Sequence, residues 1–322
     1  MPTFCRHNRF IERCPICREQ LPSSGPVPPG AARPQRPKGA GGRRGTAGPS
    51  RRQGAELRVR RVPRASVDDF ASTLLPGLRA SGDARRLVSE LAFAAGRLAA
   101  LALDPPGPYA RVATLADVER AMALAFLIVY LAPLEEPDPF AAIEELAAAW
   151  ENGFLPELGT ARTGPRTSHD PARGTRTLEA FRAWTSRWGS AQAAFTGDPG
   201  WSPERRFDRV FERLALPGLH RAGRYELLVV LGRLGRVELR APGLRFDGAD
   251  ETSVGAKRAF GIAEPRLLER RAADLASTCE VPLEALDLAL AGWQRGERVH
   301  AGFSDAVADP SAEARALGAL GL

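Results

Sequence analysis

Three groups of residues have the types and spacing that chemistry needs. Cys5, His7, Cys14 and Cys17 lie within thirteen residues and offer two nitrogen or sulfur ligands on either side of a short connector. Their spacing suits a tetrahedral zinc, and the Cys14-Pro-Ile-Cys17 knuckle aims two thiolates at one ion. An iron–sulfur cluster completed by Cys279 and a set of unmetallated thiols are the competing readings. The second group is acidic, Asp247, Asp250 and Glu251, with Lys257 and Arg258 following on a helical pattern. Carboxylates there can take a proton or stabilise a positive charge, while the cations neutralise a departing anion. A helix-start cap with surface cations is the plainer account of Asp250, Lys257 and Arg258. The third group is the turn Leu216-Pro217-Gly218-Leu219 with Arg221, Gly223 and Arg224 just beyond it. Glycine lets backbone N–H groups approach a phosphate, the next helix adds its positive end, and the arginines add charge without reading sequence. A turn between two helices that binds nothing is the alternative.

Two of these groups lie on stretches with a family resemblance. LPGLHRAGRYELL (216–228) is similar to the helix-hairpin-helix of the DNA glycosylase superfamily, with His220 in place of the hairpin's second glycine. GADETSVGAKRAFGI (248–262) resembles that superfamily's downstream catalytic-aspartate segment. More narrowly, RYELLVVLGRLG, AKRAFGI and the N-terminal CRHNRFIERCPIC resemble the alpha-glutamyl/putrescinyl thymine pyrophosphorylases, clade 3. The resemblance spans roughly residues 80–300. It implies an all-α, helix-hairpin-helix glycosylase-like domain acting on DNA. Gly218, Leu219, Arg221, Gly223 and Arg224 would meet the strand, and Asp250, then Asp247 and Glu251, would supply the catalytic carboxylate. The reaction it implies is either excision of a base or displacement of pyrophosphate from a hydroxymethyl pyrimidine by an amine or amino-acid co-substrate such as putrescine or glutamate. Ala222 stands about where bifunctional glycosylases carry their hairpin lysine, so lyase chemistry is not expected. A non-catalytic nucleic-acid-binding adaptor with the same fold is the alternative from another class.

Charge is unevenly spread along the 322 residues. The formal total is +7; residues 21–64 contribute +10 and residues 1–20 contribute +2, which leaves −5 for the remaining 258. A high isoelectric point therefore describes the N-terminal arm and not the body. Locally the balance reverses, because residues 201–245 hold ten arginines against five acids. The N-terminus is polar and cysteine-bearing, which reads as no signal peptide. The best apolar run, Ala121 to Leu134, has only 14 residues. A bilayer needs about 20. The expectation is a cytoplasmic protein with no membrane partner, in which four cysteines read as ligands or core before disulfides.

Elements that would position these groups follow from periodicity and punctuation. Residues 1–20 form the metal knuckle, 21–56 a disordered basic linker rich in Pro, Gly and Arg, 57–302 the helical domain and 303–322 a C-terminal tail. Helices are expected over 84–103, 118–131 behind Asp117, 140–150, 178–195, 204–214, from about 224, and over 265–277 and 282–294, the last two opened by proline. Residues 152–176 read as a long polar loop carrying a single His169. Residues 237–246, split by Ala-Pro-Gly, read as a β-hairpin or an irregular arm. Cys279 is expected to pack as a small apolar residue, and no Walker loop or dinucleotide fingerprint is present.

The linker makes a prediction of its own. Deleting residues 1–56 should weaken binding to a DNA duplex and flatten its salt dependence, measured between roughly 50 and 200 mM salt. An unchanged slope would mean that these cations do not touch the polyanion.

Overall fold

The computed structural model describes residues 65–322, apart from 153 and 249. The metal knuckle, with Cys5, His7, Cys14 and Cys17, and the basic linker lie outside the described residues. Among those described, the chain is all-helical. Twelve α-helices run in order: α1 Ser81–Leu103, α2 Pro108–Thr114, α3 Val118–Leu131, α4 Ala141–Glu151, α5 Arg176–Arg187, α6 Ala191–Thr196, α7 Pro203–Arg213, α8 Arg221–Arg233, α9 Glu251–Phe260, α10 Pro265–Thr278, α11 Ala285–Arg295 and α12 Pro310–Leu320. None is long and apolar enough to cross a membrane. The tail expected after residue 302 ends in a helix, α12, whose N-terminus is capped by Asp309.

Two helices act as hubs. Helix α3 is apolar on all sides and almost wholly buried from Ala121 onward, as a helix surrounded by others must be. It packs against α2, α4, α6 and α8. Its Phe126 lies 3.9 Å from the Phe181 ring of α5, centroid to centroid, in a cluster with Tyr130, Trp150, Trp184 and Phe195. The other hub is α1, which packs on α8, α11 and α12. Helix α8 touches both, so the element that follows the Gly218 turn is held between the two groups of helices.

The long polar segment 152–176 is bound to the end of α3. Gly164 N donates to the Leu131 and Ala132 carbonyls at 3.1 and 3.0 Å, and Ser168 N and Thr167 Oγ1 donate to the Tyr130 carbonyl at 3.0 and 2.9 Å. These are carbonyls that a helix C-terminus leaves without partners. Only glycine fits at 164, where a Cβ would come within 1.8 Å of the Pro133 carbonyl.

Two expectations are refined. The single helix read over 178–195 is broken into α5 and α6 at Trp188-Gly189-Ser190, where Gly189 takes φ 84° and Ser190 caps α6. Among residues 236–248 no strand forms. The arm is irregular and is held by Glu269 of α10, which accepts from Leu244 N at 2.7 Å and Phe246 N at 3.0 Å.

Candidate functional site

The turn, the arm and the acidic cluster meet at Arg221, the first residue of α8. Helix α7 ends at Arg213, and the chain then folds Leu214, Leu216 and Leu219 inward, which fixes the bend. Gly218 sits at φ 85°, and a Cβ there would meet Thr177 Oγ1 at 2.4 Å. Thr177 Oγ1 donates to the Pro217 carbonyl at 3.0 Å, so the start of α5 clamps the bend from one side. Beyond it, His220 precedes α8 without a side-chain cap.

Arg221 does not face solvent. It is 4% exposed and spends its guanidinium on three acceptors. Nε pairs with Asp250 Oδ2, Nη1 donates to the Leu244 carbonyl at 2.7 Å, and Nη2 donates to Asp287 Oδ1 at 2.5 Å. Asp287, on α11 and 1% exposed, takes a second cation on its other oxygen, Arg166 from the 152–176 segment. The result is a buried chain Arg166–Asp287–Arg221–Asp250 across four separate parts of the sequence. Burial opposes ionisation of Asp287, but the Arg221 and Arg166 guanidiniums outweigh it and hold the carboxyl below its ordinary value. Burial likewise works against the Arg221 charge, and Asp287 with Asp250 more than restores it. Arg166 also has Nε and Nη1 buried without a partner among the described residues, beside a cavity of about 20 Å3 lined by Ala222, Gly223 and Glu226.

Asp250 is fixed on its two oxygens by two different partners. Its Oδ1 accepts from Ser253 N at 2.7 Å, capping α9, and Oδ2 is held by Arg221. Negative charge at a helix N-terminus is favourable. The side chain is still 22% exposed, so an edge of the carboxylate reaches solvent. Asp247, 69% exposed, stands 3.9 Å from Arg224 Nη2. Glu251 pairs with Arg295 at 2.9 Å, and the same nitrogen of Arg295 donates to the Pro165 carbonyl at 2.8 Å. Lys257 reaches back along α9 to donate to the Gly248 carbonyl at 2.8 Å, placing its ammonium beside the loop that carries Asp250.

Several expected roles change. Arg221 cannot be a surface phosphate contact, because its donors are committed inside the protein. Leu219 is core, and Gly223 is buried where a Cβ would meet Ser168 Oγ at 2.5 Å. Arg224 lies with its guanidinium 4.5 Å over the Phe211 ring; burial lowers its pKa, which the nearby Asp247 partly opposes. Arg258 is engaged by Asp83 at 2.8 Å and lies over Trp293 at 4.2 Å. His169 is a core histidine: Nδ1 is 3.2 Å from Tyr130 Oη and burial lowers its pKa. Cys279, by contrast, packs in the core as expected, and burial pushes its thiol up to about 11. Arg166 and Asp287 escaped the sequence reading. A lone carboxylate in the apolar run ALDLALAGW (285–293) was the signal that a buried cation had to meet it.

Comparison of the chain with protein-family models, with curated proteins and with solved structures found no match.

Asp287→Asn should cost about 3–5 kcal/mol, because it leaves Arg166 and Arg221 buried with a neutral partner. Urea unfolding across pH measures this. The folded carboxyl titrates below its unfolded value of about 3.9, so its stabilisation is complete above that value and is lost as pH falls through the folded one. The variant should lack this acid limb; a variant as stable as the parent, with the same acid limb, would show that the chain of charges does not bear on the fold.

Proposed function

We propose that the chain is an enzyme acting on a nucleobase that has left the stack of a DNA strand, with Asp250 as its reacting carboxylate. The observation that carries the reading is the Arg221–Asp250 pair. It ties the first residue of α8, the helix that follows the Gly218 bend, to the carboxylate at the start of α9, twenty-nine residues later, so that bend and acid are joined by a direct ion pair. This is the juxtaposition that the resemblance to helix-hairpin-helix glycosylases and thymine pyrophosphorylases leads one to expect.

Two reactions fit that carboxylate. In excision, an ionised Asp250 stabilises the positive charge that develops on the sugar as the glycosidic bond breaks, and it orients the attacking water. In transfer, an amine nitrogen attacks the methylene carbon at the thymine 5-position. The carbon–oxygen bond to pyrophosphate breaks, its electron pair leaves with the pyrophosphate, and the amine proton passes to Asp250. Lys257, anchored on the Gly248 carbonyl, would neutralise that departing charge, whereas Arg258 is occupied at α1. Extraction of the base is required in either case, since an edge carboxylate cannot reach inside a duplex. A structural zinc on Cys5, His7, Cys14 and Cys17 would order the N-terminal arm and takes no part in these steps.

A second reading, a non-catalytic nucleic-acid adaptor, is favoured by the structural employment of Asp250, one oxygen of which caps α9 while the other holds Arg221. Nucleoside mass spectrometry separates the two. The full chain is incubated with DNA containing pyrophosphorylated hydroxymethyl pyrimidine or ordinary thymine, with and without glutamate or putrescine. Release of a free base or formation of an aminated thymine, lost in Asp250→Asn while DNA affinity persists, is the expected result. No product with any substrate, and an Asp250→Asn variant that binds as the parent does, would leave the adaptor.

A further inference from the structure

Helix α7 has a polar side that neither the fold nor the candidate carboxylate uses. Its inner face, Phe207, Val210 and Phe211, is buried, while Arg205, Arg209 and Arg213 follow one another at four-residue spacing on the outer side. Four residues of helix advance about 6 Å and turn slightly more than once, so the three cations form an oblique stripe on one side of the helix. Arg205 has no ion pair among the described residues, and Arg209 has only the exposed Glu212, at 3.3 Å. Arg213 ends the stripe between two indoles, its guanidinium 4.4 Å from the Trp188 ring and 4.8 Å from the Trp201 ring.

The two indoles are not equivalent. Trp201 is half-buried on Gly197, where a Cβ would come within 2.5 Å of its ring. Trp188 stands at the corner between α5 and α6 and is 41% exposed. Arg187 beside it is exposed and has no ion pair among the described residues. A large flat apolar ring left in water, stiffened by a stacked guanidinium and flanked by unpaired cations, has the chemistry that holds an unpaired base and its phosphates: a π-face for the base and a cationic track for the backbone.

We propose that Trp188 is a stacking platform for an unpaired nucleotide and that Arg205, Arg209 and Arg213 carry the adjoining single strand along α7 towards the Gly218 bend. This rests on the reading of the chain as a nucleic-acid enzyme and adds where the opened strand runs. The body of the protein has a net charge of −5 over residues 65–322, so the stripe is a local feature of this face and not a general attraction.

The test uses the full chain and a fluorescein-labelled thymidine dodecamer, with the matching duplex and oligoribonucleotide as further arms. Affinity is read by anisotropy and stacking by quenching of intrinsic fluorescence. Trp150, Trp184 and Trp293 are buried, so the quench reports Trp188 and Trp201. Removal of one base-stacking aromatic weakens binding by roughly 5- to 150-fold. Trp188→Ala should show a loss of that size for the single strand together with loss of most of the quench, Trp188→Phe should restore affinity to within a few-fold, and Arg205→Gln should reduce the salt slope. The duplex should be less sensitive to Trp188→Ala than the single strand, and the DNA and RNA arms show whether the sugar matters to the platform. Single-strand affinity and quench unchanged in Trp188→Ala, with folding verified by circular dichroism, would overturn the platform while leaving the nucleic-acid reading in place. Failure of the parent chain to bind any of the three oligonucleotides would overturn both.

Discussion

A guanidinium taken out of water must find carboxylates, and Arg221 is where this fold meets that demand. Its partners come from α11, from the N-terminus of α9 and from the backbone of the arm, while Asp287 brings in Arg166 from the loop that follows α4. Removing one member of such a set is far more costly than replacing the whole set by apolar groups, because the remaining charges stay buried. The segments it joins therefore have to sit in fixed relation, whatever the packing around them permits. That is why the 152–176 segment, long and polar in sequence, is not loose: it supplies Arg166 to the chain of charges and donors to the end of α3.

The same arrangement decides what Asp250 can do. Donors on both oxygens set its orientation, and the partly open edge leaves room for an external group. The neighbouring acids differ. Asp247 is nearly free in solvent, and Glu251 serves as a partner of Arg295, linking α9 to α11 and to the loop at Pro165. Among the described residues, the clefts of about 290, 690 and 310 Å3 are lined by Asp83 and Arg258, by Glu135 and His300, and by Trp150 and Arg182. Asp250 lines none of these three clefts.

Local signals in the sequence located most helices. Asp117, Ser202-Pro203 and Pro265 mark the starts of α3, α7 and α10, and each behaves as its residue type dictates: Asp117 and Ser202 accept backbone hydrogen bonds, and both prolines occupy the first turn. The bend at Gly218 and the helix carrying Lys257 and Arg258 were equally visible. Hidden were α2, only seven residues long, and the break at Gly189, where the apolar stripe runs on from α5 into α6. The largest difference concerns Arg221. Next to a glycine turn an arginine reads as a phosphate contact, and nothing local reveals that its carboxylates arrive from 29 and 66 positions further on. Long-range ion pairing leaves no periodic trace; the one visible sign was the isolated Asp287 in an apolar helix.

If Arg221 binds bend and acid into one unit, the two side chains must be energetically coupled. A double-mutant cycle measures that coupling: unfolding free energies of the parent, Arg221→Met, Asp250→Asn and the double variant. The account predicts that the double variant loses less stability than the sum of the single ones, by about 1–3 kcal/mol. Single-variant effects that add to within roughly 0.5 kcal/mol would contradict it.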